Sequence, residues 1–396
     1  MKGRRGHLRA RWGTPTALKR LAATCATTTL ILGYGHPVSA APSPRPDQWW
    51  FPAWEIEEKV WPLSKGRGVT VAVLDSGAEA RLPELRGVVL KGKQLAGARG
   101  DGRQDIDTEK GGHGTAMAVA IAGQGGGTGL VGIAPETRIL PVVGGTFFYE
   151  KQIHYAVDRG AKVINLALST PGTECPPRTQ DAINYAIEHD VVIVTGAGNL
   201  AIAKSSEYYP PNCAGVLTVG ALDADMNAWK KTTPGSTVMA AAPGVSVGVA
   251  SKYGTYRKTN GTSFATALTS GLVALIRSRY PEMSGREVVQ RLLYTARDVD
   301  TKGWDERTGY GALIPYTALT AKIPPNAPNP VYERFDRLAK AGPRTTLSAR
   351  AVNPKPRIEQ GSNGTIWPPV LAVIGTLFVA AASGILYLRR ARPGSC

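Results

Sequence analysis

The 396-residue sequence predicts an α/β fold, a mostly parallel β-sheet flanked by helices, in one domain of about 280 residues. Two observations carry this. Short apolar runs of strand length alternate with segments of helical period, the punctuation of βαβ units. The stretch Thr262 to Tyr280 is small or apolar almost all round, which suits a helix buried in a core rather than one on a surface. Taken in order, Gly68–Leu74 is apolar and β-branched and ends in Asp75-Ser76-Gly77, so it reads as a strand followed by a turn. Gly114–Ala122 is a helix of small residues. Arg138–Val143 is a strand, Lys151–Arg159 an amphipathic helix, Lys162–Leu168 a strand, and Arg178–His189 a second amphipathic helix. Val191–Thr195 and Val216–Ala221 are further apolar strands. Beyond Thr262–Tyr280, Val288–Ala296 has the spacing of an amphipathic helix, and Gly309-Tyr310-Gly311 closes the domain in a turn.

Three segments supply an acid, a base and a nucleophile in that order: Val71-Ala72-Val73-Leu74-Asp75-Ser76-Gly77, Gly112-His113-Gly114-Thr115 and Asn260-Gly261-Thr262-Ser263-Phe264-Ala265. Singly, each has a plain structural reading. Asp-Ser-Gly after a strand is a turn, and Gly-His-Gly-Thr is a loop with a helix cap at Thr115. Together they fit one job. A serine hydroxyl is a poor nucleophile near neutral pH and needs an imidazole to take its proton, here His113 for Ser263. The imidazole needs a carboxylate on its far nitrogen to fix its tautomer and stabilise its charged form, here Asp75. His154, His189, His36 and His7 have no such context and read as surface residues.

With these motifs and Thr195-Gly196-Ala197-Gly198-Asn199 the chain resembles the subtilisin-like (S8) serine peptidases, whose triad runs in the order Asp, His, Ser. The resemblance implies a subtilisin-like fold and an acyl-enzyme mechanism of peptide-bond hydrolysis. It gives Asn199 the oxyanion-donor position, with the backbone N–H of Ser263 as companion. It also implies that substrate is received by Leu168, Ser169 and Thr170 on one strand end and by Gly196, Ala197 and Gly198 on another. Ala167 departs from the serine usual in the family.

The ends of the chain place this domain. Residues 1–20 carry seven Lys or Arg and no acid, Leu21–Gly33 is moderately apolar, and Val38-Ser39-Ala40 offers a small-residue cleavage site, which reads as a secretory signal peptide over 1–40, with an uncleaved anchor as the competing reading. Val370–Leu388 carries no charge, is long enough to span a bilayer, and is followed by Arg389, Arg390 and Arg392. It reads as a transmembrane helix with a cytoplasmic tail at 389–396 and an extracytoplasmic catalytic domain. Residues 41–66 form an N-terminal extension whose Trp49, Trp50, Phe51, Trp54 and Trp61 are expected to pack on the peptidase domain at 67–322. The Pro-rich segment 323–369, with a helical turn or more at Val331–Lys340, reads as a linker. Of the net charge of +17, ten positive charges lie in the signal region and the tail, and no basic stripe with interleaved aromatics is present, so no nucleic-acid role is expected. Cys25 and Cys396 fall in the two end segments. That leaves Cys175 and Cys213 to pair in an oxidising compartment.

Signal peptide, S8 domain, Pro-rich linker, membrane helix and basic tail together resemble the mycosins, membrane-anchored subtilases of type VII secretion systems. This implies a protein or peptide substrate, the membrane, and a type VII secretion membrane complex as partners. A scaffold role with dispensable catalysis and a general cell-surface degradative protease stand as alternatives. The chain lacks the second cysteine pair common in mycosins, and the thirty or so residues before the first strand are too few for the cleavable prodomain of secreted subtilisins. No cofactor is required. Asp101, Asp105, Asp107 and Glu109 before His113 make a structural calcium conceivable, and a solvated acidic loop is the preferred reading.

Overall fold

The computed structural model describes residues 43–97 and 99–340. The expected signal segment 1–40, linker residues 341–369, the span 370–388 and the tail 389–396 lie outside the described residues. Among the described residues no helix is long and apolar enough to cross a membrane.

The chain opens with helix α1 (Trp50–Ala53) and a π-helical turn at Ile56–Val60. Strand β1 (Thr70–Asp75) and the two-residue β2 (Lys93–Gln94) lead to α2 (His113–Ala122). There follow β3 (Arg138–Val143), α3 (Tyr149–Asp158), β4 (Val163–Leu166), β5 (Thr170–Pro171) and α4 (Pro177–Glu188). Next come β6 (Val192–Gly196), β7 (Tyr208–Tyr209), β8 (Leu217–Leu222), β9 (Val238–Pro243), β10 (Val247–Ala250) and β11 (Tyr256–Thr259). The chain closes with α5 (Thr262–Arg279), α6 (Gly285–Tyr294), α7 (Pro315–Thr320) and α8 (Pro330–Lys340). Seven strands form one sheet, ordered β2-β3-β1-β4-β6-β8-β9, and every pairing in it is parallel. The expected α/β class with a mostly parallel sheet flanked by helices is what the structure shows.

A parallel sheet is covered on both faces, so its strands are apolar throughout and their alternate residues serve different layers. In β1, Val71 and Val73 join a core shared with α2 and α5, whereas Ala72 and Leu74 join one shared with α3 and α4. Helix α5 packs on β4, β6, β8 and β9 and is crossed by α2. Residues on all its sides are therefore buried, from Phe264 to Arg277. Helix α6 starts at Gly285, earlier than its apolar spacing indicates, because Ser284 and Glu287 form a capping box there: Ser284 Oγ accepts from the Glu287 N–H, and the Glu287 carboxylate accepts from the Ser284 N–H.

The aromatic segment packs on the domain. Trp50, Phe51, Trp54 and Trp61 are buried, with Phe51 edge-on to Trp61 at 5.4 Å. The Gln48 side-chain amide pairs with Val131 as a strand would, accepting from its N–H at 3.0 Å and donating to its carbonyl at 2.7 Å. Trp49 Nε1 donates to the Val245 carbonyl and Trp61 Nε1 to that of Ile133.

The linker begins later than the composition of 323–369 indicates. Helix α8 buries Val331 and Tyr332. Arg286 grips Asp336 with two hydrogen bonds, of 3.0 and 2.9 Å, and its guanidinium lies over the Tyr332 ring. Residues 323–340 thus belong to the packed domain, and the helical turn or more expected at Val331–Lys340 is the amphipathic helix α8 that holds them.

Candidate active site

The sheet order reverses between β1 and β4: from β1 the chain goes to the β2 edge and returns through β3, whereas from β4 it runs through β6 and β8 to β9. In open α/β sheets, ligands bind at the carboxyl ends of the strands beside such a point. Asp75 is the last residue of β1, Ala167 follows β4, and Asn199 follows β6. Two helix starts meet these strand ends: α2 begins at His113, and Ser263 is the second residue of α5. The five residues come from five segments that the fold brings to one edge.

Asp75 is buried at 1% exposure, and its carboxylate accepts from His113 Nδ1 at 2.8 and 3.0 Å. Oδ1 also accepts from the Ser76 N–H at 2.8 Å. The Ser76 hydroxyl in turn accepts from the Gly114 N–H, tying the strand end to the helix start. A carboxylate with these donors keeps the proton on Nδ1 and leaves Nε2 as the base. Burial by itself would push the His113 pKa down, but the charge and hydrogen bond of Asp75 outweigh it and hold the imidazole above its ordinary value of 6.5.

The loop before His113 is solvated as expected at Glu109 and in part at Asp101, whereas Asp105 and Asp107 are tied into the fold. Asp107 accepts from the N–H groups of Glu109, Lys110, Gly112 and His113 at 3.0 to 3.1 Å, so it caps α2 and fixes where His113 starts. Burial pushes its carboxyl up, yet these four donors prevail and hold it below the usual value. Asp105 is buried and accepts from the Thr115 N–H and hydroxyl at 2.8 and 2.6 Å. Asp101 pairs with Arg103. These carboxylates are committed to donors of the protein itself, and among the described residues no three His, Cys, Asp or Glu side chains gather as metal ligands do.

Asn199 is anchored by a residue that the sequence reading passed over. The Thr262 N–H donates to Asn199 Oδ1 at 2.9 Å and the Thr262 hydroxyl at 3.0 Å. A backbone N–H can only donate, so the atom facing it is the amide oxygen, and the Asn199 NH₂ is left for the cleft. Thr262 Oγ1 also accepts from the Gly198 N–H at 3.2 Å, which fixes the turn carrying Asn199. Ser263 lies in the first turn of α5, where N–H groups have no intrahelical acceptor. Its hydroxyl donates to the Ala167 carbonyl at 3.1 Å rather than to the imidazole.

His113, Asn199 and Ser263 line one cleft of about 580 Å³, with Glu109, Lys110, Arg257, Thr259 and Asn260 in its walls. Of the residues expected to receive substrate, Leu168 and Ser169 follow Ala167 after β4 and are at least partly exposed, Thr170 opens β5, and Gly196, Ala197 and Gly198 lead from the end of β6 to Asn199. The Ala197 side chain is fully buried, and a Cβ at Gly196 would meet the hydroxyls of Thr262 and Thr266 at 2.8 and 3.0 Å. Thr170 pairs with Tyr209 in a small antiparallel ribbon beside the site. The cleft is also lined by β11, in an antiparallel pair with β10 that has no strong local signal. His154 and His189 stack on Tyr185, on α3 and α4. Cys175 and Cys213 are disulfide-bonded, with Cα atoms 4.9 Å apart, joining the loop before α4 to the one before β8.

Comparison with known proteins matches residues 66–311 to the subtilase (S8 peptidase) family. Fervidolysin of Fervidobacterium pennivorans is 31% identical over 310 residues, covering 70% of this chain and 44% of its own, so the chain spans less than half of that relative's length. Mycosin-3 of Mycobacterium tuberculosis is 31% identical over 337 residues, covering 67% of this chain and 70% of its own. A solved structure of MycP1 from the ESX-1 type VII secretion system superposes with a TM-score of 0.63 at 27% identity, covering 74% of this chain and 89% of that one.

Proposed function

Because the chain belongs to the subtilase family of serine proteases and is of the mycosin type, we propose that it is an endopeptidase working through Asp75, His113 and Ser263. The observation that carries this reading is the convergence of an Asp75-paired imidazole, Ser263 and the Asn199 amide on one cleft. A turn of the Ser263 side chain moves its hydroxyl from the Ala167 carbonyl to His113 Nε2. His113 then takes the proton as Oγ attacks the substrate carbonyl. Asp75 stabilises the imidazolium, and the negative oxygen is received by the Asn199 NH₂ and the Ser263 N–H. His113 returns the proton to the leaving amine, and water, activated by the same imidazole, hydrolyses the acyl-enzyme.

The substrate class is a protein or peptide in an extracytoplasmic compartment. The secretory pattern over 1–40 supports that location, and the uncharged stretch 370–388 with its trailing arginines supports tethering to the membrane. Likeness to MycP1 supports a type VII secretion setting, where the protein processes secreted substrates or supports the membrane complex. The test is labelling by a fluorophosphonate probe together with turnover of a peptide library. Wild-type protein is expected to be labelled and active, and Ser263→Ala neither. Equal labelling of both overturns the assignment.

A further inference from the structure

The cleft wall opposite His113 is built from one strand whose two faces do different work. Side chains alternate across a strand. In β11, Tyr256 and Lys258 face the N-terminal segment: the Tyr256 hydroxyl bonds to Asp47, Arg45 lies 4.1 Å over the Tyr256 ring, and Lys258 pairs with Asp47. Arg257 and Thr259 therefore face the other way, into the cleft with Ser263 and His113. Arg257 is fixed there, since its guanidinium donates to the Lys110 carbonyl at 2.9 Å, and that bond joins the β11 wall to the loop before His113.

Neither cation at this junction is in an ion pair, and the nearby Asp107 carboxylate is already engaged by four N–H groups. The described residues form eleven ion pairs, and neither Lys110 nor Arg257 is in any of them. Glu109 lines the same wall without pairing to either, so the wall carries two cations against one anion. The charge of Lys110 reaches the catalytic base, where it opposes protonation of the imidazole. Four of the five donors of the Arg257 guanidinium remain for a ligand, in the planar fork that suits a carboxylate.

We propose that this cleft selects substrates with an acidic side chain beside the scissile bond, read by Arg257 and assisted by Lys110. The proposal rests on the peptidase reading of the same cleft and names a preference that reading leaves open. The carboxylate of a bound Asp or Glu gives Arg257 an ion-pair partner. The Lys110 ammonium adds attraction of longer range, which salt screens.

The experiment is a set of internally quenched peptides, identical except that each of the three positions on either side of the cleaved bond carries Glu or its neutral isostere Gln. At low salt the Glu/Gln ratio of kcat/KM is expected to reach about three to ten at one or more positions, the scale of one or two partly exposed charge pairs. The ratio falls toward one in the Arg257→Gln/Lys110→Gln double variant and in 0.5 M salt, and Arg257→Glu shifts the preference toward Lys. Because the ratio compares two substrates of one protein, a variant that folds poorly lowers both rates and does not mimic the effect. A wild-type ratio of one or less at every position, or a ratio that survives the double substitution, overturns the proposal. Hydrolysis of none of the peptides overturns the peptidase reading and this preference with it.

Discussion

Thr262 sets the direction of Asn199, through two hydrogen bonds to Oδ1 at 2.9 and 3.0 Å. Only the first comes from the backbone, so the side chain at 262 controls the second and, through the Gly198 N–H, the turn that carries the amide. Stabilisation of a developing oxyanion depends on donors held where the charge will form. Replacing Asn199 by Ala is expected to lower kcat about a hundred- to a thousand-fold. Thr262→Val keeps the backbone bond and loses the hydroxyl, so about three- to thirtyfold is expected, the effect of one hydrogen bond of about 1 kcal/mol or somewhat more. The loss should fall on kcat rather than KM, and Thr262→Ser should restore it. An unchanged kcat in Thr262→Val means the backbone bond alone holds the amide.

His113 governs the response to pH. Its pKa is lowered by burial but raised further by Asp75, and the net shift is upward. Catalysis needs the neutral imidazole, so the acid limb of kcat/KM should be centred above about pH 6.5, the ordinary histidine value. Lys110 pulls the pKa down, so Lys110→Gln should move the limb to still higher pH. The stability linkage has the opposite sense. A group that binds its proton more tightly when folded stabilises the fold below about pH 6.5, and this contribution fades as pH rises through the higher folded value. Rates measured from pH 5 to 9 and melting curves over the same range check both.

The Cys175–Cys213 bond closes a loop with a sequence separation of 38 residues, which in the chain-entropy model stabilises by about 4 kcal/mol. Mass spectrometry of unreduced peptides should find the pair linked. Cys175→Ala/Cys213→Ala should lower the denaturant midpoint and raise the slope, because the denatured chain freed of the cross-link exposes more surface. Two alkylatable thiols in the native exported protein contradict the pairing.

Topology is tested at the C-terminal apolar stretch. Leu377→Arg places a charge near the middle of 370–388 and should cost about 2.5–3.5 kcal/mol of insertion free energy. Protease should then appear in the medium. If truncation before Trp367 leaves the protein in the detergent-extracted membrane fraction, an uncleaved signal or a partner complex holds it instead.

The residues proposed for catalysis were legible in the sequence because each sits where a periodic element starts or stops. Asp75 ends an apolar run, His113 and Ser263 open helices of small residues, and Asn199 follows a strand. Residues that act by tertiary contact left no such mark. Thr262 looks like a helix-start threonine until Asn199 is brought beside it, and Asp107 looks like a solvated acid until four N–H groups turn toward it. The contribution of β11 to the cleft wall was not foreseen. Its Tyr-Arg-Lys-Thr run carries no apolar period. Helix α8 did carry a signal, in the spacing of Val331, Tyr332 and Phe335, but the surrounding proline and basic residues gave it the look of a linker.

Ser263, the proposed nucleophile, stands at the head of a helix buried on all sides from Phe264 to Arg277, with the sheet beneath α5 and α2 packed against it. Such a helix opens only when the domain unfolds as a cooperative unit, so the amides beyond its first turn should exchange with deuterium with the free energy of global unfolding. The helix that carries Ser263 is then held in place until the domain unfolds, whatever rotamer its side chain takes. Loss of probe labelling on heating should therefore coincide with loss of far-ultraviolet ellipticity, and a gentle pre-transition in activity is not expected.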